Sequence, residues 1–157
     1  MTGLISISVN DLFKRWLQTQ LPPSVYSGAV DPVQTVGAYP PGSTPVVVAS
    51  GNVANAAATA TMPATAGVTN YITGFEVTGS GSTAGLPVTV TITGILGGTL
   101  SYTYDFASGA LVGNTPLVVD FRPGAPASAV NTAIVVSCPA GGVGNTNSTV
   151  VAHGYRL

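Results

Sequence analysis

The chain has 157 residues, and only four basic and five acidic side chains give it a net charge of −1. At 6% charged, against roughly a quarter in ordinary soluble domains, it lacks the clustered Lys and Arg that a nucleic-acid surface requires. Hydrophobic residues make up 45% of it, too many for wholesale disorder, yet no run of about 20 apolar residues offers a membrane-spanning helix.

Residues 1–8 have no basic segment and no long apolar run, so no secretory signal is expected. From Val9 to Gln20 the spacing predicts a short helix with Leu12, Phe13, Trp16 and Leu17 on one face. Ser8 or Asn10 can cap it, Asp11 suits its positive end, and Pro22 and Pro23 stop it. A helix of about 11 residues is marginal alone in water, so this apolar stripe needs cover. The same subunit, a neighbouring copy or another protein can each supply it. The stripe lies near the start of the chain, holds the only Trp and precedes a linker, which favours an anchor. Leu12, Phe13, Trp16 and Leu17 are therefore the candidate partner-binding residues. Lys14 and Arg15 are too few for an interfacial membrane helix. Six prolines, from Pro22 to Pro45, then describe an extended arm, and residues 1–45 form the first unit.

From residue 46 to 157 the period becomes two. Val46–Val48 is a short apolar run, and Ala54, Ala56, Ala58 and Ala60 share one parity. Tyr71, Phe75 and Val77 are expected on one face of the next strand. Leu86, Val88, Val90 and Ile92 alternate with Thr89, Thr91 and Thr93, the clearest pattern in the chain. Leu100, Tyr102, Tyr104 and Phe106 follow a Gly97–Gly98 turn. Leu117, Val119 and Phe121 come next, then Ile134, Val136 and Cys138, and a last strand with Val151, His153 and Tyr155 or the opposite parity inward. Seven or eight short strands separated by Gly, Pro and Asn predict an all-β antiparallel sandwich or barrel. Their polar faces are Thr and Ser, with few of the charges that discourage edge pairing. A symmetric oligomer would cover such surfaces.

Chemistry is sparse. One Cys excludes an internal disulfide, and Cys138 reads as a small buried apolar residue. One His and one Cys give no metal-ligand pattern, and Asp105, Asp120 and Glu76 sit in no calcium loop. His153 lacks a Gly-x-Ser-x-Gly companion, and the aromatic neighbours of Asp105 and Asp120 read as packing groups. Neither an enzyme nor a cofactor is expected. Asp120 and Arg122 share a parity and are expected to pair.

Leu117-Val118-Val119-Asp120-Phe121-Arg122-Pro123, Asn131-Thr132-Ala133-Ile134-Val135-Val136-Ser137 and the closing His153-Gly154-Tyr155-Arg156-Leu157 carry a family resemblance. Residues 70–157 resemble the jelly-roll domains, often tumour-necrosis-factor-like trimers, of head decoration, cement and fibre proteins of tailed phages. The resemblance is one of strand types and implies no catalytic signature. It implies an antiparallel jelly-roll β-sandwich forming a homotrimer on the capsid exterior. The helix and proline-rich arm would dock on the major capsid protein or another virion protein, with assembly in the host cytoplasm and no nucleic-acid or membrane partner. A carbohydrate- or receptor-binding fibre or tail module is the alternative, with Tyr102, Tyr104 and Tyr155 as possible stacking platforms.

Overall fold

The computed structural model describes residues 39–82, 85–109 and 113–157. The predicted helix over Val9–Gln20, with Leu12, Phe13, Trp16 and Leu17, lies outside these residues, as does the arm before Tyr39.

Eight strands follow one another: β1 (Thr44–Ala49), β2 (Ala58–Met62), β3 (Asn70–Ser80), β4 (Leu86–Ile95), β5 (Gly98–Phe106), β6 (Leu117–Pro126), β7 (Ile134–Cys138) and β8 (Asn147–Arg156). They form two antiparallel four-stranded sheets, ordered β1-β8-β3-β6 and β2-β7-β4-β5. Among the described residues there is no helix. Residues Tyr39–Leu157 make one compact unit, and strand pairing begins at Thr44, opposite Arg156.

Alternation explains which side chains meet. In β4, Val88, Val90 and Ile92 are buried, while Thr89 and Thr93 are exposed. β2 contributes Ala58, Ala60 and Met62, and β7 contributes Ile134, Val136 and Cys138. Opposite them lie Ile72, Phe75 and Val77 of β3 and Val150 and Ala152 of β8, so the two sheets share one apolar core. Each fully buried Phe, Met, Ile or Val side chain contributes roughly 1.5–3 kcal/mol of transfer free energy before ordering costs.

Phe106, at the end of edge strand β5, is closely fitted. Its ring fills a slot whose walls are Gly79 of β3 and Gly141 in the loop after β7. A Cβ on Gly141 would stand 2.6 Å from the ring's Cγ and Cδ1, so only a bare α-carbon fits.

Several expected placements differ. The Ala54–Ala60 alternation becomes a strand only from Ala58, and Ala54 and Ala56 are exposed. Tyr71 does not share the core face of Phe75. The register of β3 shifts between Ile72 and Gly74, and the extra residue reverses the parity. Ile72 and Phe75 therefore both face inward, while Tyr71 faces outward. In β8 the inward set is Val150, Ala152 and Gly154, the second of the two expected parities.

Candidate interaction surface

The outward face of β1-β8-β3-β6 carries most of the unusual side chains. Strand register places Val47, His153, Gly74 and Asp120 in one row across the four strands. Ala49, Val151, Glu76 and Val118 make the next row, and Pro45, Tyr155, Tyr71 and Pro126 the row on the other side. Val47 is 69% exposed and Val118 62%, large values for aliphatic side chains standing on a sheet.

Tyrosines build one end of this face. Tyr71 and Tyr155 stack with centroids 4.8 Å apart and planes 8° from parallel. Tyr39, just before β1, meets Tyr155 edge-on at 5.6 Å. Tyr155 is thus buried by its neighbours although it lies on the outer face, and burial raises its phenol above the ordinary value of 10.0. Beside it Asn70, a buried amide, ties the edges together. Its Nδ2 donates to the carbonyls of Pro63 at 3.1 Å and Thr132 at 2.8 Å, and its Oδ1 accepts from Arg156 Nε at 3.0 Å. His153 lies across Gly74, where a Cβ would stand 2.8 Å from the imidazole Nε2. The expected Asp120–Arg122 pair forms at 2.7 Å on the sheet margin with both side chains well exposed. Solvent limits such a pair to at most about 1 kcal/mol.

The outward face of β2-β7-β4-β5 is of another kind. Thr59, Ser137, Thr91 and Ser101 line up across all four strands, and Thr59 and Ser137 share a hydroxyl hydrogen bond of 3.2 Å. Thr61, Thr93, Thr89 and Thr103 surround that row. Hydroxyl groups of this kind keep their water readily. The aliphatic and aromatic face and the Thr-rich face are therefore opposite sides of the domain.

The remaining chemistry is packed away. Cys138 is fully buried, and burial pushes its thiol up against a smaller opposing effect of the nearby Ser148, so the nucleophilic thiolate is disfavoured. Tyr104 is buried in the core, its phenol raised by that burial against the effect of the Asn114 amide. Tyr102 packs edge-on against Phe75 at 5.5 Å. Of the three tyrosines considered as sugar platforms, Tyr104 and Tyr155 are thus buried and Tyr102 is partly buried against the core. Among the described residues, no three of His, Cys, Asp and Glu come together as a metal-binding group. The anchor candidates Leu12, Phe13, Trp16 and Leu17 are not among the described residues.

No protein-family model, curated protein or solved structure matches the chain. Sequence reasoning placed His153 and Tyr155 on one parity but missed the tyrosine cluster and the Asn70 hub. Asn70 stands just before the alternation that begins at Tyr71, and nothing nearby in sequence announces its partners Pro63, Thr132 and Arg156.

Proposed function

We propose that the chain is a non-enzymatic virion structural protein, a homotrimeric decoration or cement protein on the head of a tailed phage. The observation that carries this reading is the nesting of the strands. β1 pairs with β8, β2 with β7, β3 with β6 and β4 with β5. The first and third of these pairs lie in one sheet and the second and fourth in the other. An antiparallel ribbon folded over on itself distributes its strands in this way, and that winding is the jelly roll of many capsid domains.

The contrast between the two outer faces supports self-association. In a cyclic trimer the face with Val47, Val118, Val151 and the tyrosines turns toward neighbouring copies, and the Thr-rich face turns toward solvent. Among the described residues, Glu76, Asp120, Arg122 and His153 are the acidic, basic and imidazole groups at the middle and margin of this outer face, so desolvating it costs little charge. Residues 1–45 form the attachment arm, with Leu12, Phe13, Trp16 and Leu17 as apolar anchors on the major capsid protein or another virion protein. The role needs no cofactor, nucleic acid or membrane.

Light scattering on the eluting full-length chain tests the assembly. A mass three times that of the 15.6 kDa chain at micromolar concentration is expected, and a stable monomer would overturn the trimer. Trp16→Ala is expected to lower occupancy on particles while leaving the β-domain folded. Equal occupancy of mutant and wild type would remove the anchor role.

A further inference from the structure

Among the described residues β5 is an edge strand, paired with β4 on one side only. Asn114, in the segment leading to β6, lays its side-chain amide along the unpaired side. Its Nδ2 donates to the Asp105 carbonyl, and its Oδ1 accepts from the Ala107 N–H at 3.1 Å. A carboxamide presents the same donor and acceptor as a peptide group, so it satisfies backbone atoms that an adjacent strand would otherwise engage. Alternate residues of a strand direct their backbone groups to the same side, which puts those of Ser101 and Thr103 on this open edge as well. A cleft of about 410 Å³ lies alongside, with Thr103, Asp105, Asn114 and Leu117 in its walls.

Among the described residues, little else discourages strand addition here. Asp105 is the only charged residue of β5, and the strand contains no proline. Two β5 strands placed antiparallel about Thr103 would set Asp105 opposite Ser101, so no like charges would meet.

We infer that Asn114 guards this edge: its amide occupies the place of an incoming strand and keeps β5 of a second copy from pairing across the cleft. This goes beyond the trimer reading, because it concerns a contact that the wild-type chain withholds whatever its oligomeric state.

The test uses the full chain with Asn114→Ala, followed by amide hydrogen exchange at low concentration and light scattering over a concentration series. Exchange at the Ala107 amide is expected to rise roughly five- to tenfold, matching the loss of one hydrogen bond. The mass is expected to increase with concentration above that of the wild type. Adding Thr103→Pro, which removes an edge N–H, is expected to return the mass to the wild-type value. Asn114→Ser, too short to span both backbone groups, provides the same readouts if the alanine variant does not fold. Unchanged exchange at Ala107 would overturn the inference. So would faster exchange without added mass, or added mass that Thr103→Pro leaves in place.

Discussion

Replacing Gly141 by Ala tests whether Phe106 is held as tightly as its surroundings imply. The new Cβ would lie 2.6 Å from Cγ and Cδ1 of the ring and 2.8 Å from Cδ2, all well inside van der Waals contact. Carbon atoms settle near 3.5–4.0 Å, so the ring or the loop must move by about 1 Å. The ring is also confined by Gly79, where a Cβ would strike Cε1. Gly141 has no left-handed φ, so the substitution adds no backbone strain to the clash. Overpacking of this kind costs about 1–3 kcal/mol. With a urea m-value of about 1–3 kcal/mol/M, the midpoint should fall by around 1 M at unchanged m. Protein concentration must be held fixed, since association stabilises the folded state by mass action. Phe106→Leu gives the ring's space back, so the double variant Gly141→Ala/Phe106→Leu should lose less than the two single losses together. A Gly141→Ala protein within about 0.5 kcal/mol of wild type, or strictly additive losses, would refute the clasped ring.

Asn70→Ala removes the donor to two carbonyls and the acceptor for Arg156 from a buried position. The expected loss is about 2–3 kcal/mol in chemical denaturation, from buried groups left without partners. Tyr104 and Tyr155 both have phenols raised above 10.0 by burial. The native state therefore keeps protons that the unfolded chain releases, so stability is intact below pH 10 and falls as the pH rises beyond it. Unfolding free energy measured against pH should show that alkaline decline, and Tyr155→Phe should make it shallower.

Much of the fold was legible because alternation is local. Val88, Val90 and Ile92 face the core and their threonine neighbours face out, as period two requires. The β3 register was not legible, because the shift after Ile72 is set by pairing with β6 and β8, far away in sequence. Both parities of β8 are apolar enough to read as inward. The choice is made by the tight approach of Gly154 to the backbone of Tyr71, together with the stacking of Tyr155 on Tyr71 and its edge-on contact with Tyr39. Gly113–Asn114 carried a turn signal, but nothing in the turn announces that the Asn114 amide reaches back to Asp105 and Ala107. The valine and tyrosine face was hidden for the same reason, since its members come from four strands and the segment before β1, scattered between residues 39 and 155. The apolar stripe of Leu12, Phe13, Trp16 and Leu17 is legible as helical spacing and lies outside the described residues.

The nested pairing also orders events during synthesis. β4 and β5 meet across the two-residue Leu96–Gly97 turn and can pair as soon as both have emerged. β1 depends on β8, and the Ser50 hydroxyl that accepts from the Val150 amide waits for a residue 100 positions later. At about 5–20 residues per second, β1 spends several seconds as an uncharged, unpaired strand outside the ribosome. β1 thus cannot be secured before β8, the last strand to be made. Until β8 emerges, the sheet that needs it between β1 and β3 stays open, which makes translation speed and chaperone access controls on the yield of folded domain.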